Sequence, residues 1–200
     1  MDADDKLLYS FFLGSGCRDR EVRFAAWQDV DFGKETFTVT SKPDVGFAPK
    51  NHEQRKMRLP RRVIKLLKQA HKNKKSERWI FADERGEPRD HFLRNLKFIA
   101  LRAGLNCGQC KTTLSTGHGK YKKRVAVTCA THPVCEHIYL HRFRKLCATR
   151  WSTPHGGHQA VPIRTIQHWL GHKNLETTML YLGITDTDEL SASVNAAYGD

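Results

Sequence analysis

Four residues in the last third of this 200-residue sequence have the types and spacing to act on a phosphate. In "LHRFRKLCATRW" (140–151), His141 and Arg144 stand three apart, so on a helix they share a face. Leu140, Phe143 and Cys147 can then turn toward a core. A guanidinium offers a planar fork to two phosphate oxygens, and an imidazole beside it can take or give a proton near neutrality. In "LGHKNLETTMLYLG" (170–183), nine positions separate His172 from Tyr181, and little between them reads as core. Tyr181 either ends a helix as a buried aromatic or is a phenol held out as a nucleophile. A free phenol ionises near pH ~10, so it would need help to lose its proton. Upstream, Arg18 follows a glycine turn and begins a helix, where unpaired backbone N–H groups welcome an anion. Glu21, one turn on, can hold that guanidinium in place or form only an ordinary intrahelical pair. Taken alone each motif is weak, because His-x-x-Arg also describes many solvated basic helix faces.

Four of the six cysteines fall between 107 and 135. Cys107 and Cys110 have the spacing of a zinc knuckle, and Cys129 with Cys135 supplies a second, looser pair. His132 competes for the second pair and His137 is a weaker candidate. The set Cys107, Cys110, Cys129 and Cys135 is preferred, because thiolates outcompete imidazole for a closed structural site. Four unbonded thiols in an exposed loop are the plain alternative. Nothing apolar in 111–124 could fold that loop unaided, so a structural zinc is expected to do it, pinning an insert of about 105–137. Its basic loop would be free to meet a polyanion. With four protein ligands the zinc would leave no position open for chemistry.

The bulk properties agree with a polyanionic partner. Lysine and arginine number 34 against 21 acidic residues, a net charge of +13, and the basic residues are dispersed among aromatics as on a folded surface. No apolar run approaches the ~20 residues of a membrane helix, and the acidic start "MDADDK" does not look like an export signal. A reducing, cytoplasmic setting is expected, where clustered cysteines bind metal more often than they pair.

Several elements must position these residues. Residues 5–13 read as a helix stopped by "GSG", and 18–27 as a second. "DVDFGKETFTVTSK" reads as strand, turn at Gly33 and strand, with Phe37 and Val39 alternating; "RKMRLP" resumes extended structure, which leaves Lys50 in a loop between strands. A basic helix follows at 61–72, then a short apolar stretch, "RWIFAD". Phe92, Leu96, Ile99 and Ala103 recur at helical spacing and define a buried face over 89–103. Helical character returns at 138–151, then at 163–171 and 174–182, and "DTDELSASVNAAYG" reads as a short peripheral helix.

The stretches "GCRDREV", "PKNHEQRKMRLP", "LHRFRKLCATRW" and "IQHWLGHKNLETTMLY" occur in the order, and with the spacing, of the tyrosine recombinases, or phage-integrase family. The sequence resembles that family's catalytic domain over nearly its whole length. The resemblance implies an α+β fold: mainly helical, with a small antiparallel sheet, here carrying the zinc-binding loop as an insert. It implies six active-site positions: Arg18, Lys50, His141, Arg144, His172 and Tyr181. Lys50 is chosen over Lys42, also between strands, because Arg55 stands five residues after it with an extended segment following, as in the family pattern.

The implied reaction is cleavage and rejoining of double-stranded DNA through a 3′-phosphotyrosine. Tyr181 attacks, Arg18 and Arg144 clamp the non-bridging oxygens, and His172 adds a hydrogen bond. His141 is the candidate proton acceptor, and Lys50 protonates the departing 5′ oxygen. No cofactor or catalytic metal is required. The family's N-terminal DNA-clamp domain is expected to be absent from 1–200. The complete protein would assemble as a tetramer on DNA, nucleoid-associated, in integration, excision, resolution or mobile-element transfer. The shared chemistry also admits a type IB topoisomerase, and a non-cleaving zinc-containing DNA-binding module is a reading from another class.

Overall fold

The computed structural model describes residues 2–50, 53–117, 122–154 and 159–182. The first helix, α1 (Ala3–Ser15), starts at Asp2, whose carboxylate accepts the Asp5 N–H at 2.7 Å. It is longer than the periodicity suggests, and Gly16 rather than Gly14 ends it. Leu7, Leu8, Phe11 and Phe12 are buried, and α1 runs through the middle of the core against α3 (Arg61–Lys72) and α5 (His141–Ser152). The ring of Phe11 meets those of Phe37 and Phe81 edge-on, and Phe12 meets Phe92 the same way, the geometry that aromatic quadrupoles prefer.

The expected second helix is shorter than 18–27: α2 covers only Asp19–Arg23, and Trp27–Asp29 forms a 3-10 turn. A three-stranded antiparallel sheet follows, with β1 (Val30–Asp31), β2 (Thr36–Val39) and β3 (Arg55–Arg58) in that order. Phe37 sits opposite Met57, and both are buried with Val39. Helix α3 has the expected bounds and buries Val63, Ile64 and Leu67 beneath an exposed basic face. Trp79, Ile80 and Phe81 are buried, so "RWIFAD" is core.

Helix α4 (Phe92–Arg102) buries Phe92 and Ala100, with Leu96 and Ile99 packed at the core's edge; Ala103, expected on that face, is exposed. The chain then forms a structure that helical periodicity could not reveal. β4 (Lys111–Thr116) and β5 (Lys123–Thr128) pair as a separate antiparallel ribbon. Thus part of the cysteine-bearing stretch is regular, held by threonines and valines that favour extended backbone. The last described helices are α5, α6 (Ile163–Leu170) and α7 (Leu175–Leu182), which pack on one another. Leu170 and Ile166 of α6 and Ala148 of α5 form a small second core. The helix read in 186–199 lies outside the described residues. No helix among the described residues is long and apolar enough to cross a membrane.

Candidate active site

The ends of α1, α2, α5, α6 and α7 and the first residue of β3 supply one cluster. Its centre is Arg144, the largest fully buried side chain among the described residues, at 1% exposure. Arg144 is therefore not part of a solvated basic face, although His141, Arg142, Lys145 and Arg150 of the same helix are exposed. Arg144 Nη1 donates to the Gly16 carbonyl at 2.6 Å, and Nη2 donates to the Leu170 carbonyl. Its Nε, also buried, has no partner, and no carboxylate pairs with the guanidinium among the described residues. Burial, and after it the nearby Arg18, push its pKa down to about 10, so it stays charged at neutral pH.

Arg18 is the residue before α2, with extended backbone. The anion at the start of α2 is the protein's own: Glu21 accepts the Arg18 N–H at 2.7 Å and the Arg18 guanidinium at 3.0 Å. Arg18 remains partly exposed while Glu21 is covered. From the other side Arg55 grips Glu21 with two parallel hydrogen bonds, one of 2.9 Å, and donates its Nε to the Trp169 carbonyl at 2.8 Å. Burial alone would raise the Glu21 pKa; the hydrogen bonds and charge of Arg55, together with those of Arg18, outweigh it and hold the carboxyl below its usual range. Arg55 thereby ties α2, β3 and the end of α6 together.

That tie explains the "LGH" of the motif. Leu170 is buried, and Gly171 ends α6 in the left-handed region, at φ +66°. A Cβ on Gly171 would lie 3.1 Å from Arg55 Cδ, so both backbone conformation and close approach call for glycine. His172 follows, its N–H bonded to the Gln167 carbonyl at 3.1 Å. Gln167 Nε2 in turn donates to the His172 and Lys173 carbonyls, both at 3.1 Å, which fixes the turn into α7. His172 Nδ1 meets the hydroxyl of the buried Thr178 at 3.0 Å. Burial, then Arg144 and Arg18, lower its pKa to about 4, so the ring is neutral at pH 7.

Tyr181 sits between the two histidines. Its ring centroid lies 4.8 Å from that of His172 and 5.4 Å from that of His141, and His141 Nε2 contacts its hydroxyl. His141 is the first residue of α5 and is lowered in pKa by burial, Arg144 and Arg18 in that order. The ring of Tyr181 also touches the small second core, so the phenol is half-buried rather than free.

The two lysines between β2 and β3 differ sharply. Lys42 is 3% exposed, and its ammonium is taken by Asp29 (2.8 Å), Thr40 Oγ1 (2.8 Å) and the Thr40 carbonyl (3.3 Å). Lys50 is exposed and lines a small cleft with Arg55, Gln167, Gly171 and His172. The sulfurs of Cys107, Cys110, Cys129 and Cys135 lie within 4.8 Å of one another. His132 is outside that group, its ring against the Thr131 hydroxyl, and so is His137. Cys17 and Cys147 are buried thiols of the core, raised in pKa by burial.

Thr178, Gln167 and the clasp role of Arg55 escape a reading of motifs. One signal for Arg55 was present: the alternation in "RKMRL" puts it on the face of Met57, and an arginine on a buried face needs a buried partner.

Solved structures share this fold. The chain matches the Tn1549 transposon integrase in complex with transposon right-end DNA at a TM-score of 0.63 and 17% identity, covering 97% of this chain and 58% of that one. It matches the XerA recombinase at 0.61 and 18%, covering 98% and 57%. It matches the XerH site-specific recombinase bound to difH substrate at 0.62 and 18%, covering 99% and 47%. The chain thus spans little more than half the length of the first two. No curated protein sequence matches it. The phage integrase family model matches residues 1–187, which takes in every residue of the cluster just described, and the chain belongs to that family.

Proposed function

We propose that this chain is the catalytic part of a site-specific DNA recombinase that cleaves and rejoins DNA through a phosphotyrosine. The observation that carries this is the buried Arg144, charged and without an acidic partner among the described residues, beside a phenol set between two imidazoles. Such a cluster suits an anion that arrives from outside. The DNA complexes of the Tn1549 integrase and XerH supply the substrate class.

Arg144 and Arg18 take the two non-bridging oxygens of the scissile phosphate, where charge builds in the transition state. Glu21 and Arg55 are positioning residues that hold Arg18 and the His172 turn. With the Thr178 hydroxyl donating to Nδ1, His172 carries its proton on Nε2 and donates it to the same phosphate. Tyr181 Oη forms the new bond to phosphorus while the bond to the 5′ oxygen breaks. The phenolic proton passes to neutral His141, and Lys50 gives a proton to the leaving 5′ oxygen. Lys42 has no free donor for that task. The step stores the phosphodiester energy, so a 5′ hydroxyl of another strand reverses it. The reaction takes no cofactor, and in the complete protein four protomers assemble on the DNA. A structural zinc on Cys107, Cys110, Cys129 and Cys135 belongs to the same reading, closed to chemistry by its four protein ligands.

The test is a nicked duplex that traps the covalent complex. Wild type should give an adduct whose peptide maps to Tyr181, and Tyr181→Phe should give none with DNA affinity little changed. An adduct that survives in Tyr181→Phe refutes the assignment. Relaxation of supercoils without exchange between duplexes would mark a topoisomerase, and no adduct from wild type a non-cleaving module.

A further inference from the structure

The four cysteines sit outside the strand-transfer cluster, and their geometry is specific. Cys107 Sγ lies 3.4 Å from Cys110 Sγ, 3.6 Å from Cys129 Sγ and 3.8 Å from Cys135 Sγ. A disulfide needs ~2.05 Å. Four thiolates at ~2.3 Å from one zinc stand about 3.8 Å apart along the edges of the tetrahedron; the three separations from Cys107 are near that value, and all four sulfurs lie within 4.8 Å of one another. The backbone is arranged for thiolates as well: the N–H groups of Gln109 and Cys110 point at the Cys107 sulfur, and Glu136 N–H points at that of Cys110 at 3.4 Å. The Cys129 N–H bonds to the Cys110 carbonyl at 2.9 Å, joining the two pairs.

Between the pairs runs the β4–β5 ribbon. Among the described residues it packs extensively on no other element, and of those in β4 and β5 only Val127 is buried. A lone two-stranded ribbon is marginal in water, so its attachment at the cysteine end decides its direction. It is also strongly basic. From His91 to Cys135 the sequence has no Asp or Glu, and Lys111, Lys122, Lys123 and Arg124 are all exposed. By register Lys111 and Arg124 share the face opposite Leu114 and Val125. Six residues after Cys135 comes His141, the first residue of α5, so the same knot anchors the ribbon and leads into the helix of Arg144.

We propose that Cys107, Cys110, Cys129 and Cys135 hold one zinc ion that orients the β4–β5 ribbon as a second grip on the DNA backbone, separate from the strand-transfer cluster. A β-ribbon is of a size that the major groove admits, and its four cations neutralise phosphates without reading bases. The DNA half of this proposal rests on the recombinase reading; the metal half does not.

The experiment has three arms on the whole chain. Metal analysis should find one zinc per chain. Cys107→Ser should lose it, and chelation should open residues near 105–137 to protease while the melting of the remaining protein holds, with zinc alone restoring protection. Protein that contains iron instead, or that is metal-free yet protected in chelator, overturns the site. In a Tyr181→Phe background that blocks chemistry, binding to a 30-base-pair duplex is measured against salt. Replacing Lys111, Lys122, Lys123 and Arg124 by Gln should keep the zinc and reduce the slope of log affinity on log salt by about 3.6, at ~0.9 for each of four lost phosphate contacts. Zinc removal should reduce it similarly. An unchanged slope refutes the grip. Failure of wild type to form an adduct, with zinc and slope as stated, would sink the recombinase chemistry and leave this inference standing.

Discussion

Replacing Arg55 by Met tests the link between the buried clasp and the reacting groups. The substitution keeps much of the side-chain volume and removes two hydrogen bonds to Glu21 and one to the Trp169 carbonyl. Both side chains are almost fully covered, at 4% and 2% exposure, so water cannot replace the lost partner. Breaking a buried pair from one side costs about 3–5 kcal/mol. Arg18 stays on Glu21 and keeps the cost near the lower figure. At roughly 2–4 °C per kcal/mol for a chain this size, melting should fall by about 10 °C. The sign with pH follows from Glu21. In wild type its folded pKa lies below its unfolded value, so its contribution is present above the unfolded pKa and is lost as pH falls through the folded one. In Arg55→Met, burial is no longer outweighed and the folded pKa rises, so ionised Glu21 becomes a liability at pH 7 that protonation relieves. The stability gap between the two proteins should therefore narrow from pH 7 to pH 4. A double variant, Glu21→Gln with Arg55→Met, should cost clearly less than the two singles added, and adduct yield should drop further than DNA affinity in each. Thermal melts across pH and the double-mutant cycle decide it. A gap constant with pH, or additive singles, would refute the claim that a buried charge pair holds the site.

Arg144→Gln should reduce adduct formation by at least a hundredfold while changing duplex affinity only a few-fold, because one contact among many is lost but the scissile phosphate loses its clamp; gel shifts and adduct assays on one DNA check it. For His172 the folded pKa of about 4 lies below the ordinary 6.5, so between those values the unfolded chain binds more protons; stability should fall as pH drops from 6.5 to 4, and His172→Asn should flatten that part of the melting profile. Gly171→Ala forces a left-handed alanine and a Cβ 3.1 Å from Arg55, a loss of about 1–3 kcal/mol by melting, with adduct yield reduced more than binding. Lys42→Met should destabilise the fold through the unpaired Asp29, whereas Lys50→Met should leave melting unchanged and slow cleavage of an ordinary 5′ oxygen leaving group, with a better leaving group restoring the rate.

What the sequence disclosed, and what it concealed, divides along the range of the interactions. Helix α3 was legible to the residue because its apolar positions repeat locally within a basic segment. The pairing of His141 with Arg144, and the nine-residue span from His172 to Tyr181, are also local spacings, and the folded chain brings all four together. Arg55 and Glu21 meet across 34 residues, and Arg144 meets Gly16 across 128, so no window of sequence shows either. Lys42 was hidden for a related reason. A lysine in a loop reads as solvated until Asp29 is known to lie beneath it. The ribbon escaped because short strands of Lys, Thr and Val carry little apolar pattern, so the stretch between the cysteines reads as a loop.

The way Arg144 is held has a wider implication. Gly16 caps the end of α1 and Leu170 is the last residue of α6, so the two carbonyls on the guanidinium are the negative ends of two helices. Backbone dipoles, unlike a carboxylate, do not titrate over any pH the protein meets, and no ion pair has to break when a phosphate arrives. Side-chain replacement cannot remove them either; only a shift of the helix ends can. Gly16 stands at that joint with φ +61°, and a Cβ there would press on Leu170 Cδ2 at 3.1 Å and Cys147 Sγ at 3.4 Å. A single methyl group at the end of α1 would thus disarm an arginine 128 residues away by moving its counter-charge, with every polar side chain of the cluster left intact.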